Sequence, residues 1–513
     1  MTHKISLIEA FNTTSSTYAN SVAVIDNDTS CTFIALKTAS DKFAHGLLKR
    51  GIKKGDTVAL YCINSIEFAI AYMGIVKAGA VVVPINLLQK AAEIIYVMTN
   101  AQVKGVIYHE AFQANMDDIA AEISAQLFNI CIRANREESA DWKQLCDNDG
   151  SLPNIKIDPV NDLAAILYTS GTTGKPKGAM LTHHNLVSNT SSVFQAMKWQ
   201  AGKEVIVLVL PMFHAFAATV GMLTPLTHGC AFVPVAKFEP DNLLTIIEKT
   251  NSTVFLGVPS MYNVLLNTRD DKCARFRSIK LCVSGGASMP VDILNRFEQK
   301  FGVPIYEGDG PTECSPVTCV NPVGGIRKIG TVGLPVPNVE MKILNEQGVE
   351  LPVGEIGEIA VRGDNVMKGY WQLPEATKES FYEDWFLTGD LGNVDEEGYF
   401  SILDRKKDMV IVNGMNVYPR IIEEVLYRYD GILEAAVIGQ TDELHGEIPV
   451  AYVVLKESVE ASSADIRRWC RQHLGSYEVP RKVVFMDTLP KNGAGKIVKR
   501  VLNKRGEIER GVQ

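Results

Sequence analysis

A stretch of hydroxyl, glycine and lysine residues follows a short apolar segment in the first half of the chain. Residues 164–168 predict a buried strand, and residues 169–178 continue with the sequence TSGTTGKPKG. Closely spaced glycine, serine and threonine residues expose backbone N–H groups and hydroxyl donors, and Lys175 and Lys177 add positive charge. The segment therefore predicts a loop that binds a polyphosphate.

This loop differs from the P-loop of many nucleoside triphosphatases. Its spacing fails the pattern G-x-x-x-x-G-K-[ST], and Pro176 follows the lysine at a position where a helix would have to continue. A flexible surface loop rich in serine, threonine and glycine is the alternative interpretation. We favour phosphate binding because the loop follows a predicted strand and further motifs follow it along the chain.

Six short motifs lie downstream of the loop. In chain order they are Pro211-Met212-Phe213-His214, Ser284-Gly285-Gly286-Ala287, Gly308-Asp309-Gly310-Pro311-Thr312-Glu313, Thr388-Gly389-Asp390, Asp404-Arg405-Lys406-Lys407-Asp408 and Pro490-Lys491-Asn492-Gly493-Ala494-Gly495-Lys496. With the loop, they resemble the signature sequences of the superfamily of acyl-CoA synthetases, luciferases and peptide-synthetase adenylation domains. The resemblance covers nearly the whole chain, and the family's fatty-acid ligases are especially similar at residues 366–371 and 404–412.

The resemblance implies an enzyme that uses ATP, Mg²⁺ and CoA. Members of the family first join a carboxylic acid to AMP, and the acyl-CoA synthetases then rotate the C-terminal domain and transfer the acyl group to CoA. A free carboxylate resists nucleophilic attack because it is anionic and has no good leaving group. Activation requires the protein to bring two anions together and to stabilise charge on the α-phosphate.

The expected substrate is a medium- or long-chain fatty acid, because Gly285, Gly286, Ala217 and Ala218 leave room for an aliphatic chain. Three alternatives stay open. The enzyme could be a CoA ligase for an aryl or other small carboxylic acid, or it could load a carrier protein, which would form adenylate without consuming CoA. It could also be a nucleotide-responsive binding protein with weak catalysis, which would give no pyrophosphate exchange with any acid.

The resemblance also assigns the groups that act in the first reaction. Lys496 stabilises the developing charge on the α-phosphate, and Thr312 contacts that phosphate. Glu313 binds Mg²⁺, and one carboxylate with substrate phosphates is a normal ligand set for this ion. His214 lies at the carboxylate of the acid, although a histidine satisfied within the core is the common alternative.

Further residues are assigned to the nucleotide, to the substrates and to domain motion. Asp390 and Arg405 bind the ribose hydroxyls, which suits a carboxylate that accepts from two neighbouring hydroxyl groups. Gly285 lies at the acyl substrate, Lys407 is the hinge residue, and Gly414 approaches the pantetheine arm of CoA. The remaining nucleotide-binding candidates are Thr169, Ser170, Gly171, Thr172, Thr173, Gly174, Lys175, Lys177, Gly286, Ala287, Ser288, Gly308, Asp309 and Gly310.

Two positions depart from the family pattern. Asp309 stands where an aromatic residue, commonly tyrosine, usually stacks on adenine. An aspartate cannot stack, and a negative charge beside nucleotide phosphates is unfavourable, so we expect a raised KM for ATP. Ile421 stands where a glutamate is usual after Tyr418-Pro419, and we expect only a local effect because it lies on a predicted helix.

The elements that must position these residues alternate between strands and helices. Apolar runs such as 57–62, 81–84, 205–210, 253–256 and 280–282 predict strands, and amphipathic segments such as 41–50, 241–249 and 291–301 predict helices. This alternation predicts an α/β fold with largely parallel sheets. Residues 339–344 and 357–362 predict strands joined by glycine- and proline-rich turns.

The predicted organisation has a large N-terminal domain and a small, mobile α+β C-terminal domain. Residues 1–403 form the AMP-binding domain, with two α/β sheet subdomains and a β-rich subdomain at about 332–403. The charged residues 404–408 form the hinge, and residues 409–513 form the C-terminal domain, with helices at 419–429 and 463–474 and strands at 435–438 and 450–455.

Composition and charge limit the other function classes. The 513 residues carry a net charge of −8, which argues against a nucleic-acid-binding protein. The ten cysteines show no C-x-x-C spacing and no signal peptide is evident, so we expect reduced thiols in a cytoplasmic protein. Residues 66–88 predict an apolar helix and a buried strand rather than a membrane span. A homodimer is compatible with these features.

Overall fold

The helices and strands of the chain follow the alternating order that the sequence predicts. The computed structural model describes residues 4–27, 29–123, 128–132, 140–169, 175–457, 459–492 and 495–508. The α-helices are α1 (Leu7–Thr17), α2 (Phe33–Lys49), α3 (Ile66–Lys77), α4 (Ala91–Asn100), α5 (Gln113–Glu122), α6 (Ala140–Cys146), α7 (His183–Ala196), α8 (Thr224–His228), α9 (Pro240–Thr250), α10 (Pro259–Leu265), α11 (Asp270–Cys273), α12 (Val291–Phe301), α13 (Pro374–Glu379), α14 (Pro419–Tyr427), α15 (Ser463–His473) and α16 (Lys499–Ile508).

The strands are β1 (Val22–Asp26), β2 (Thr29–Thr32), β3 (Thr57–Tyr61), β4 (Val81–Pro84), β5 (Gly105–His109), β6 (Phe128–Ile132), β7 (Leu163–Thr169), β8 (Lys177–Thr182), β9 (Val205–Leu208), β10 (Ala231–Pro234), β11 (Val254–Gly257), β12 (Leu281–Ser284), β13 (Ile305–Asp309), β14 (Cys319–Val320), β15 (Leu334–Pro335), β16 (Val339–Leu344), β17 (Gly357–Gly363), β18 (Phe381–Tyr382), β19 (Trp385–Val394), β20 (Phe400–Arg405), β21 (Val410–Val412), β22 (Met415–Val417), β23 (Ile432–Asp442), β24 (Gly446–Leu455) and β25 (Lys482–Phe485). Turns of 3₁₀-helix cover Glu110–Phe112, Ala274–Phe276 and Thr312–Cys314, and a π-helix covers Ala217–Leu223.

A mostly parallel sheet carries the predicted phosphate loop at its edge. Its strand order is β6-β5-β3-β4-β7-β8, and β8 is antiparallel to β7. Every residue of β3 and β4 is buried, as expected for parallel strands covered on both faces. The apolar segment at 66–88 forms α3 and β4, which confirms the predicted helix and strand. Within the described part of the chain, no helix has both the length and the apolar character that a membrane span requires.

A second, larger sheet forms the centre of the molecule. Its order is β15-β14-β13-β12-β11-β9-β10-β1-β2. The strands from β13 to β1 run parallel, and antiparallel strands close both edges. Aromatic side chains pack edge to face behind β11, with ring centroids 5.0–5.8 Å apart among Phe255, Tyr262, Phe276 and Phe297.

Two smaller sheets complete the fold. Strands β16, β17, β19, β18 and β20 form an antiparallel sheet. Strands β21–β25 form the sheet of the C-terminal domain, which has its own apolar core with α14 and α15. The α/β class, the β-rich part and the smaller C-terminal domain agree with the prediction. The exact domain limits and the hinge stay predictions.

The predicted bounds of most elements agree with the structure, and one difference has a clear cause. Helix α12 and strand β4 have the predicted limits, whereas the strand predicted to reach Leu210 ends at Leu208. The buried side chain of Asn64 donates from Nδ2 to the carbonyl oxygen of Leu210 at 2.9 Å and accepts from the N–H of Met212 at 2.7 Å. These side-chain hydrogen bonds take the place of the backbone hydrogen bonds that would continue β9, and the strand therefore ends at Leu208.

Candidate active site

Most of the predicted site residues converge on the carboxyl edge of the central parallel sheet. The segment with His214 follows β9, Gly285 and Gly286 follow β12, and Asp309 ends β13. In open parallel sheets, ligands bind at this edge. Motifs more than ninety residues apart along the chain therefore meet in one place.

Glycines at the end of β13 allow backbones to approach closely. A Cβ atom on Gly310 would lie 1.7 Å from the carbonyl oxygen of Pro316, and one on Gly308 would lie 2.8 Å from that of Cys319. A Cβ on Gly285 would lie 3.3 Å from the ring of Phe216 and 3.5 Å from the carbonyl oxygen of Gly308. The site wall is thus formed by backbone packed against backbone and against one aromatic ring.

A narrow cavity of about 20 Å³ brings Lys496 and His214 together. That volume holds about one water molecule. The cavity is lined by Leu210, Pro211, His214, Phe216, Val258, Gly286, Asn492 and Lys496. Lys496, predicted from a motif near the C-terminus, therefore lies beside residues of the central sheet.

The imidazole of His214 is neutral at physiological pH. Burial and the nearby charge of Lys496 lower the pKa of His214 to about 4. Its Nδ1 accepts a hydrogen bond from the N–H of Phe216 at 3.4 Å, so the proton of the neutral ring is on Nε2. The ring can therefore donate one hydrogen bond from Nε2.

Asp390 and Arg405 form an ion pair across two neighbouring strands. They are opposite each other in the register of β19 and β20, and Arg405 Nε lies 2.6 Å from Asp390 Oδ1. The side chain of Asp390 is 7% exposed and that of Arg405 is 41% exposed. Burial raises the pKa of Asp390, and the charges of Arg405 and Lys496 oppose that rise. The structure thus places both residues close to Asp309 and Lys496, and their role at the ribose stays a prediction.

The half-buried carboxyl group of Asp309 faces cations from the later part of the chain. Burial raises the pKa of Asp309, whereas Arg405, the N–H of Gly310, Lys496 and Arg420 lower it. The charge that we expected to be unfavourable beside phosphates is thus partly balanced by cations of the site itself.

Glu313 is connected to the phosphate-loop strand through a tyrosine. Its Oε1 accepts a hydrogen bond from the hydroxyl group of Tyr370 at 2.8 Å, and Lys177 Nζ lies 5.1 Å from the centroid of the Tyr370 ring. Burial and the charge of Glu313 raise the pKa of Tyr370, so the hydroxyl stays a donor. Thr312, the preceding residue, begins the short 3₁₀ turn.

Tyr370 is a site residue that we did not predict individually. It lies in segment 366–371, whose similarity to fatty-acid ligases was the available signal. The segment extends the sheet beside β8: Met180 donates to Gly369 O at 2.9 Å, and Trp371 donates to Gly178 O at 2.7 Å. A pattern of motifs cannot show that this segment pairs with a strand almost two hundred residues away.

The described ends of the phosphate loop are held by aromatic side chains. Lys175 Nζ lies 5.5 Å from the centroid of the Tyr96 ring, and the Tyr96 hydroxyl donates to Pro176 O at 3.3 Å. Thr169 pairs with Lys177 across β7 and β8. The other predicted loop residues, Ser170, Gly171, Thr172, Thr173 and Gly174, lie outside the described residues, as do Gly493 and Ala494.

Lys407 and Gly414 are not among the residues that line the cavity. Lys407 is exposed in the turn after β20. Gly414 has a φ of +80° in the exposed turn between β21 and β22. Ala287 and Ser288 follow Gly286 and are half-buried.

Within the described residues, no group of three or more histidine, cysteine, aspartate or glutamate side chains could hold a metal ion. A single carboxylate such as Glu313 fits Mg²⁺, because this ion is usually bound by one or two carboxylates together with substrate phosphates.

Comparison with known proteins agrees with this geometry. The sequence profile of the AMP-binding enzymes matches residues 11–371, and that of the AMP-binding enzyme C-terminal domain matches residues 421–496. The chain belongs to the AMP-binding enzyme family. It is an AMP-forming acid–thiol ligase, an acyl-CoA ligase that uses ATP and CoA, typically with Mg²⁺.

Three known proteins are similar to this acyl-CoA ligase over most of their length. A long-chain-fatty-acid–CoA ligase of Bacillus subtilis is 36% identical over 92% of this chain and 89% of its own length. A feruloyl-CoA synthase of Amycolatopsis is 34% identical over 95% of this chain and 96% of its own. The crystal structure of ATP-bound MatB from Rhodopseudomonas palustris has a TM-score of 0.90 at 32% identity, and covers 98% of this chain and 99% of that one.

Proposed function

We propose that this acyl-CoA ligase activates a medium- or long-chain fatty acid. The observation that carries the proposal is the lining of the cavity. His214, Asn492 and Lys496 are its polar residues, and Leu210, Pro211, Phe216, Val258 and Gly286 supply the remaining wall. An apolar wall with a few convergent polar groups suits a hydrophobic chain that ends in a carboxylate.

The similarity to the long-chain-fatty-acid–CoA ligase of Bacillus subtilis supports the same substrate class. Because the cavity of about 20 Å³ has room for about one water molecule, an acyl chain must enter by displacing a wall residue. Phe216 is the candidate, since its ring packs on Gly285 and a glycine offers no side chain to lock it in place.

The first half-reaction joins the acid to AMP. A carboxylate oxygen attacks the α-phosphorus of ATP, the bond to the bridging oxygen of the β-phosphate breaks, and pyrophosphate leaves with that electron pair. In this proposal His214 Nε2–H donates to the acid and orients it. Lys496 stabilises the negative charge that increases on the α-phosphate oxygens.

The nucleotide is held from two sides. Thr312 contacts the α-phosphate, and the loop from Thr169 to Lys177 holds the other phosphates. Glu313 would hold Mg²⁺ together with those phosphates, and the ion would neutralise part of their charge. Tyr370 orients the Glu313 carboxylate through the hydrogen bond of 2.8 Å.

Asp390 accepts hydrogen bonds from the ribose hydroxyls, and Arg405 fixes the orientation of its carboxylate through their ion pair.

In the second half-reaction the sulfur of CoA attacks the acyl carbon, the bond to AMP breaks, and the thiol proton is released. Gly414 would approach the pantetheine arm in that step, with Lys407 as the hinge.

A second candidate substrate is an aromatic acid. The feruloyl-CoA synthase of Amycolatopsis is 34% identical to this chain, and the flat ring of Phe216 against Gly285 offers a surface on which an aromatic acid could stack. We set aside the carrier-loading enzyme and the nucleotide-responsive binding protein, because the chain is an AMP-forming acyl-CoA ligase.

The test is a screen of pyrophosphate release with saturated acids from acetate to palmitate and with benzoate, ferulate and anthranilate, each with and without CoA. We expect the highest kcat/KM for acids of medium or long chain and product formation only with CoA. A maximum at an aromatic acid would support the second candidate. A maximum at acetate or propionate would contradict both.

A further inference from the structure

Helix α12 of the central part begins without a cap from its own sequence. Its N-cap residue is Pro290, which provides no side-chain acceptor. The N–H of Val291 instead donates to Glu424 Oε2 at 3.4 Å. Glu424 lies on α14 of the C-terminal domain, so a carboxylate of one domain completes a helix of the other. An anion is favourable at a helix N-terminus because of the unpaired N–H groups and the helix dipole.

Charges around this contact reinforce it. Glu307, on β13, is 2% exposed; its Oε1 accepts from the N–H of Met289 at 2.9 Å, and its Oε2 has no hydrogen-bond partner among the described residues. The positive charge of Arg420, one turn before Glu424 on α14, acts on both Glu307 and Glu424. One arginine of the C-terminal domain thus compensates the buried carboxylate of Glu307 and the half-buried carboxylate of Glu424 at the junction.

The neighbouring residue on α14 connects the junction to the lysine segment. Glu423 Oε1 lies 2.9 Å from Lys499 Nζ and accepts from the N–H of Val437 at 2.7 Å. Lys499 begins α16, three residues after Lys496. Two adjacent carboxylates of α14 therefore bind different parts of the molecule. Glu424 contacts helix α12 of the central part, and Glu423 contacts Lys499 in the segment that carries Lys496.

Helix α10 of the central part supplies two direct bonds to the same domain. Ser260 Oγ donates to the carbonyl oxygen of Gly495 at 3.1 Å, and Asn263 Nδ2 donates to that of Leu433 at 2.9 Å. These bonds fix the backbone next to Lys496. They do not replace the contact at α12, in which a carboxylate of the C-terminal domain accepts from the first N–H of a helix of the central part.

We propose that Glu424, supported by Arg420, is a positioning residue for the first half-reaction. It docks the C-terminal domain on α12 so that Lys496 reaches the cavity beside His214. The inference rests on the proposed role of Lys496. Acyl transfer from AMP to CoA forms no bond at phosphorus, so this second half-reaction does not depend on the docked position.

The experiment compares the two half-reactions in the Glu424→Gln variant of the full chain. The first is measured as the single-turnover rate of pyrophosphate release with ATP and whichever acid the wild-type enzyme adenylates fastest. The second is measured as thioester formation from the prepared acyl-adenylate and CoA. Glu460→Gln is the matched control, because Glu460 is an exposed glutamate of the same domain.

We expect Glu424→Gln to slow pyrophosphate release about tenfold, because the amide still accepts from the N–H of Val291 but removes the negative charge at the helix N-terminus and opposite Arg420. We expect thioester formation to stay within about twofold of wild type. Glu460→Gln should change neither rate. An unchanged rate of pyrophosphate release would overturn the proposal, and so would an equal loss in both half-reactions, which indicates general damage to the fold. If the fastest acid is not a fatty acid, the proposed substrate fails while this comparison still stands.

Discussion

The two regions that meet at the active site hold their functional groups by different means. At the end of β13, the backbones of Gly308 and Gly310 pack so closely on residues 316–319 that a single added carbon has no space. The segment of Lys496 is held by individual hydrogen bonds, such as that from Ser260. Close packing makes the end of β13 rigid, and we call it the rigid side. Only a few polar contacts hold the segment of Lys496 against the central part, and we call this segment with its domain the separable side.

The difference indicates how one chain can serve two reactions. The groups at the strand ends that we propose to bind the nucleotide need not move. Lys496, which we propose to stabilise the first transition state, comes from a domain with its own core, so a movement of that domain would not disturb the binding wall. The following changes test this division, from the largest expected effect to the smallest.

Replacing Lys496 with alanine removes the group that the separable side contributes to the first half-reaction in our proposal. We expect Lys496→Ala to lower the adenylation rate by roughly 10²–10³, the effect of losing one preorganised donor. Thioester formation from prepared acyl-adenylate should be nearly unchanged. Rates of ATP-dependent pyrophosphate release and of the isolated second step provide the measurement, and adenylation near the wild-type rate would remove Lys496 from the mechanism.

Adding one carbon to the rigid side tests its packing. In Gly310→Ala the new Cβ would lie 1.7 Å from Pro316 O, and the backbone has to shift. We expect a loss of about 1–3 kcal/mol in the free energy of unfolding, measured by urea denaturation. Gly325→Ala is the control, since its nearest contact is the Cβ of Pro322 at 3.2 Å in an exposed loop. Equal stability of the two variants would show that the β13 end is less rigid than we infer.

Asp309 belongs to the rigid side but faces the cations of the other side. We expect Asp309→Tyr to lower the KM for ATP roughly fivefold, because an aromatic ring can stack on adenine. The measurement is the KM for ATP at saturating acid, with Asp309→Asn as the control that removes the charge without adding a ring. A KM that does not fall in Asp309→Tyr would mean that adenine is held elsewhere.

Three histidines give the smallest expected effect: His183 is buried, and His214 and His228 are half-buried. Burial lowers the pKa of His183, His214 and His228 to about 4, below the value of about 6.5 in an unfolded chain. Between these values the unfolded state binds more protons, so the stability present above pH 6.5 is lost as the pH falls towards 4. We expect the urea midpoint of His214→Gln to fall less than that of wild type between pH 6.5 and 4.5. Parallel curves would contradict a neutral His214 in the folded protein.

Sequence reasoning predicted the rigid side more completely than the contacts that join the two sides. Ordered motifs and alternating apolar runs were sufficient for the α/β fold and for the convergence of His214, Gly285 and Asp309, because strand ends of a parallel sheet meet at one edge. The motifs and apolar runs could not predict the hydrogen bond from Tyr370 to Glu313 or the contact of Glu424 with the N-terminus of α12. Such contacts depend on how separate sheets and domains are oriented, which local periodicity does not encode.

The side chain of Asn64 has a consequence for the order in which the protein folds. It bonds the backbone at Leu208, Leu210, Met212 and Val235, so its partners lie 144–171 residues away along the chain. Contacts of such long sequence separation form late, because a large loop must close first. We therefore expect the segment that carries His214 to take its final shape only after the chain through Val235 has left the ribosome and both sheets have assembled.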